Sequence, residues 1–204
     1  MHDKKQELPV SRLQPLALED LGELQPAFAV FKNRMGFIAN SGLIMARRPA
    51  ILHALAGVSK AILEDGAVSL ALKNCICQVA SWATGCRYCQ AHFANNVVRS
   101  GVADEKLENL WDYERSLLFS DAERAALRFA AVASAVPNGV TDEVFDELKA
   151  HWDDGQIVEI LATCCYVGFL NRWNDSLATT LEDIPAAAGE KHLQSTSWSA
   201  GKHG

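Results

Sequence analysis

Apolar positions along this chain recur every three or four residues in stretch after stretch, with polar or turn-forming residues between them. From Leu21 onward, Phe28, Phe31, Met35 and Ile38 predict a helix that stops at Asn40–Ser41–Gly42. Pro49 opens another, which carries Leu52, Leu55, Ala56 and Val58 towards Ile62–Leu63 and ends near Asp65–Gly66. Residues 68–83 form the next, with Leu72, Cys75, Ile76, Val79 and Ala83 as its buried stripe and Gly85 as its stop. A helix then starts near Cys86 and runs to Ser100, before Gly101, with Cys86, Cys89, Phe93 and Val97 facing inward. Ser120 and Glu123 have capping-box spacing and open a helix over about 121–135, and Thr141 caps one whose Val144, Leu148 and Trp152 share a face. A last long helix follows Asp153–Asp154–Gly155 and reaches about Leu181.

No segment alternates with period two between hairpin turns, so the expected fold class is all-α. Residues 1–20, with Pro9 and Pro15 and little periodicity, read as an N-terminal arm, and 21–184 as the helical domain. The small and polar residues 185–204 read as a flexible tail.

The 204 residues carry 25 acidic against 19 basic side chains, a net charge of −6. No basic run exceeds Lys4–Lys5 or Arg47–Arg48, which argues against a nucleic-acid partner, since phosphate binding needs a concentrated basic face. The absence of an 18-residue apolar run, and of an apolar stretch behind the charged start, predicts a cytoplasmic protein with no membrane partner. Six cysteines are kept reduced there, so any disulfide is expected to be catalytic or sensing.

The candidate chemistry lies in Gly85–Cys86–Arg87–Tyr88–Cys89–Gln90–Ala91–His92. A thiolate in the first turn of a helix is stabilised by unpaired backbone N–H groups and the macrodipole, and two cysteines at i and i+3 can approach to disulfide distance. His92, a further step of three along, is placed to exchange a proton with Cys89. A zinc cage from Cys75, Cys77, Cys86 and Cys89 is the competing reading, but Cys75 and Cys77 are two apart on a helix and point to different sides, so no metal is expected. Cys75, Cys77, Cys164 and Cys165 read as packing residues. His53 and His151 are isolated, and His2, His192 and His203 fall in terminal segments and receive no role. Arg172, Trp173 and Asn174 read as a subunit interface ahead of a cover over the redox site.

The run Trp82–Ala83–Thr84–Gly85–Cys86–Arg87–Tyr88–Cys89–Gln90–Ala91–His92, after the helix of Leu70–Ala71–Leu72–Lys73, resembles the signature of the carboxymuconolactone decarboxylase and alkylhydroperoxidase D-like superfamily, in its peroxidase-related CxYC branch. Phe119–Arg124 and Asn171–Asp175 extend the resemblance over about residues 20–182. It implies an all-helical, homo-oligomeric subunit, trimeric or hexameric, without a cofactor. The implied activity is reduction of a hydroperoxide, with Cys89 attacking, Cys86 resolving and a dithiol or thioredoxin-like reductant reopening the disulfide. A lactone decarboxylase-like lyase and a non-enzymatic redox-sensing oligomer are the alternatives. The chain departs from the redox members at two places. Asn74 stands where they often carry a relay glutamate, and Phe93 where they carry the histidine. The relay must therefore end at water, at His92 or at a carboxylate from elsewhere, for which Glu64–Asp65 are candidates although a solvated turn suits them better.

Overall fold

The computed structural model describes residues 11–64 and 66–204, and every regular element among them is helical. In chain order these are α1 (Gln25–Met35), α2 (Asn40–Met45), α3 (Pro49–Leu63), α4 (Leu70–Thr84), α5 (Arg87–Arg99), α6 (Asp104–Glu108), α7 (Asp121–Ala133), α8 (Asp142–His151), α9 (Asp154–Leu177) and α10 (Asp183–His192). Short 3-10 turns occupy Leu18–Leu24, Leu110–Asp112, Gln194–Thr196 and Gly201–His203.

Helix α4 is the centre, packed against α5, α7 and α9. Because neighbours surround it, residues 72–81 are all buried, polar ones included, and Ala83 at its exposed end is not part of the stripe expected of an amphipathic helix. Several of these polar groups have specific partners. Lys73 Nζ lies 2.9 Å from Glu159, and Ser81 Oγ donates to the Cys77 carbonyl at 2.7 Å. Asn74 Nδ2 donates to the Asn96 carbonyl at 3.3 Å, so this residue braces α4 against α5. Gly85, with φ of 77°, ends α4 in the left-handed conformation that glycine adopts without steric cost, and Cys86 immediately becomes the N-cap of α5. That two-residue reversal sets the CxxC pair at the start of a helix lying on the core helix.

Two departures from the sequence expectation concern the ends of the domain. Gly36, not Asn40–Ser41–Gly42, stops α1, and Asn40 begins α2. The C-terminal segment is not a free tail. Helix α10 packs on α5, with Pro185, Gly189 and His192 buried, and a Cβ on Gly189 would meet the Trp198 ring at 2.7 Å. Leu193 and His203 are also buried, and Leu181 N–H donates to the His203 carbonyl at 2.7 Å. The segment is poor in periodicity because it is held by single anchors and not by an apolar stripe. Residues 1–10 of the expected arm lie outside the described residues. The chain from Ser11 runs along its own domain, where Ser11 Oγ and Thr180 Oγ1 are 2.9 Å apart and Arg12 N–H donates to the Leu177 carbonyl at 2.8 Å.

The main core gathers Ile76, Leu127, Phe129, Leu148 and Ile160 from α4, α7, α8 and α9. Ile160 is fully buried. Its replacement by alanine is expected to reduce unfolding free energy by about 2–5 kcal/mol, read from chemical denaturation curves.

Candidate active site

Cys86, the N-cap residue, accepts the Cys89 N–H on Sγ at 3.4 Å, so the thiol does what a serine or aspartate does at other helix starts. Both cysteines are buried and reduced, within a cluster that also holds Cys77, Ala80, Tyr88, Phe93 and Val167. Cys89 Sγ receives a hydrogen bond from Asn174 Nδ2 at 3.6 Å. Burial is the main reason the Cys89 thiol is pushed well above its ordinary range; its hydrogen bond to Cys86 and the charge there act in the same direction, and the Asn174 amide opposes them. Along the same stretch Tyr88, Phe93 and Val97 are buried, whereas Trp82 is exposed.

His92 is positioned from outside its own helix. Its Nε2 lies 2.6 Å from Glu182 Oε2, and its ring stacks on Tyr88 at 4.3 Å between centroids and meets Phe37 edge-on at 5.5 Å. Glu182 is the N-cap of α10, and its Oε1 accepts from the Tyr88 hydroxyl at 2.9 Å and from Asn40 N–H at 2.5 Å. Burial pushes the Glu182 carboxyl up, but the His92 charge and hydrogen bond, with those of Asn40 and Tyr88, outweigh it and hold the group below the usual carboxylate range. Burial and the Glu182 charge together push the Tyr88 hydroxyl up, so it stays a donor.

Glu182 is the carboxylate that the structure sets against His92. Among the sequence candidates, Glu64 lies at the end of α3 and Asp65 outside the described residues. The sequence signal for Glu182 is faint: Glu182–Asp183 followed by Pro185 is an acidic, proline-bearing helix start. Asn174, from the cluster expected at a subunit interface, is buried and reaches the Cys89 thiol. The remaining four cysteines lie outside the first turn of α5. Burial raises the Cys75 and Cys164 thiols to about 12 and Cys77 well above its ordinary range, in the same direction as Cys89, and Cys165 is exposed. Cys75 packs in the main core and Cys86 and Cys89 in the smaller cluster, so the four-cysteine cage is not assembled.

The depressed carboxyl of Glu182 contributes stability that is present above its unfolded value, about 4.3, and is lost as pH falls through its lower folded value. Glu182→Gln is expected to lower stability by about 1–3 kcal/mol at neutral pH and to remove part of the acid-side decline, measured by denaturation at a series of pH values.

Residues 49–132 match the carboxymuconolactone decarboxylase family. The debrominase Bmp8 is similar over most of both chains: a single-residue variant of it, in complex with 2,3,4-tribromopyrrole, is 32% identical, with a TM-score of 0.82 over 88% of this chain and 96% of that one. A peroxidase-related protein of Ralstonia eutropha JMP134 with an alkylhydroperoxidase AhpD core is 20% identical, with a TM-score of 0.77 over 87% of this chain and 95% of that one, and shares the fold. The uncharacterized protein YnjA of Escherichia coli K12 is 33% identical over 101 residues; the match spans 50% of this chain and about half, 53%, of that relative. The chain belongs to the carboxymuconolactone decarboxylase family and has its alkylhydroperoxidase D-like helical fold.

Proposed function

We propose that this chain is a thiol-dependent oxidoreductase that reduces hydroperoxides by closing a disulfide between Cys86 and Cys89, with His92 handling the proton. The observation that carries the reading is the convergence of two thiols in the first turn of α5 with an imidazole held by a buried carboxylate one further turn along. One thiolate attacks the peroxide oxygen, an S–O bond forms, the O–O bond breaks, and the departing alkoxide takes a proton from His92. The resulting sulfenic acid is displaced by the second thiol, water leaves, and the two sulfurs have supplied both electrons. A dithiol or thioredoxin-like donor reopens the disulfide. A cytoplasmic homo-oligomer, trimeric or hexameric, belongs to the same proposal. It is supported by α3, which buries none of its side chains fully and leaves Ile51 and Val58 exposed.

A second reading uses the same electrons. The similarity to a debrominase over nearly the whole of that protein favours reductive dehalogenation of a brominated pyrrole, in which the ring gains hydrogen, bromide leaves and the dithiol becomes the disulfide. A lyase acting on a lactone leaves the dithiol without a role. Turnover with dithiothreitol as donor separates these readings, with cumene hydroperoxide and 2,3,4-tribromopyrrole as alternative substrates. Hydroperoxide consumption is expected, lost in Cys86→Ser and in Cys89→Ser and lowered about 100-fold or more in His92→Gln. Turnover of the bromopyrrole alone supports the second reading, and hydroperoxide turnover that survives loss of both cysteines contradicts the first.

A further inference from the structure

The end of the chain also reaches Cys86. Its Sγ, an Asp175 carboxylate oxygen and a His203 ring nitrogen all lie within 4.8 Å of one another. His203 is fully buried. Its Nδ1 is 2.8 Å from the Thr179 carbonyl, which can only accept, so Nδ1 carries the proton and Nε2 presents a lone pair. That lone pair is buried and has no hydrogen-bond partner among the described residues, with Asp175 Oδ1 3.6 Å away. A buried and oriented acceptor within 4.8 Å of a thiol is placed to take its proton through a small approach or one bridging water.

We propose that His203 Nε2 is the proton acceptor of Cys86, which makes Cys86 the attacking thiol and Cys89 the resolving one. The inference rests on the dithiol reading above and names the base within it. The Cys86 S–H proton passes to Nε2, and the imidazolium so formed is stabilised by the Asp175 carboxylate. The Cys86 thiolate, which also accepts the Cys89 N–H, attacks the peroxide oxygen. The alkoxide takes its proton from His92, the His203 imidazolium returns its proton to His92 through solvent, and Cys89 then displaces the hydroxyl of the Cys86 sulfenic acid as water.

The charged and titratable groups around His203 agree with this role. Asp175 comes from α9 and holds Lys202 Nζ at 2.8 Å through its other oxygen. Lys202 lies in the same turn as His203, and the Tyr88 ring from α5 is 5.9 Å from the imidazole, with its hydroxyl committed to Glu182. Burial lowers the imidazole below its ordinary value, with the Lys202 charge in the same direction and the Thr179 carbonyl and Asp175 against it, so a proton rests on the ring only in partnership with the Cys86 thiolate. A thiolate, a carboxylate and an imidazole are also a zinc donor set, but the Lys202 ammonium on Asp175 disfavours a dication at the same place.

The test reads ultraviolet thiolate absorbance against pH in Cys89→Ser and in Cys89→Ser/His203→Gln, with unfolding midpoints as a check on the fold. The other cysteines are common to both proteins, so the difference reports Cys86. The thiolate signal at neutral pH is expected to fall about tenfold when His203 is replaced. If His203→Gln does not fold, Asp175→Asn in the same background keeps the ring and is expected to reduce the signal by the same route. Superimposable titrations overturn the proposal, and so does one zinc ion per chain in the dialysed wild-type protein that is lost in Asp175→Asn. No peroxide is used, so the outcome for His203 is separate from the outcome for peroxidase activity.

Discussion

The Glu182 carboxylate is the interaction on which the site depends. A buried charge is tolerated only when its oxygens are occupied, and here Asn40 N–H, the Tyr88 hydroxyl and His92 Nε2 occupy them. These three donors come from the start of α2 and from two successive turns of α5, while Glu182 itself caps α10. One side chain thus joins the N-terminal helices, the cysteine helix and the C-terminal segment. It also fixes which His92 nitrogen is engaged, which decides where that ring can accept or release a proton.

The fold is legible in the sequence to the extent that local signals determine it. The helix from Asp121 announces itself through Ser120 and Glu123, and the structure contains both halves of that capping box. Gly85 and Cys86 mark the reversal between α4 and α5 because a left-handed stop and an N-cap are local requirements. The short helices α2 and α6 lack a long periodic stretch, and α10 is marked only by its acidic, proline-bearing start. The start of α2 is anchored instead by a carboxylate 142 residues away in sequence.

The site is legible only in part, for the same reason. Cys86, Cys89 and His92 share one helical stretch, and their spacing alone suggests their chemistry. Glu182, Asn174 and His203 reach that stretch through tertiary packing. Asn174 sits in a polar and aromatic cluster that suits an interface, and His203 in a segment without periodicity, so neither points to the thiols from its neighbours in sequence. Asn74 illustrates the converse: its sequence position suggests a weakened relay, whereas its amide serves the α4–α5 contact and the carboxylate that faces His92 is Glu182.

Burial pushes up Cys89 as it does Cys75, Cys77 and Cys164, so it is the hydrogen-bond donors and the place at the start of α5 that set Cys86 and Cys89 apart. Cys75, Cys77 and Cys164 sit where loss of solvent makes a thiolate unfavourable, and the other influences on them do not offset that. Cys86 has a backbone donor, and Cys89 has an amide donor. The most direct measurement of this account is peptide mapping by mass spectrometry after one equivalent of hydroperoxide is added to the reduced protein. The account predicts a single Cys86–Cys89 disulfide, with Cys75, Cys77, Cys164 and Cys165 still carrying free thiols. Recovery of Cys86 and Cys89 as free thiols, or a disulfide formed elsewhere, would contradict it.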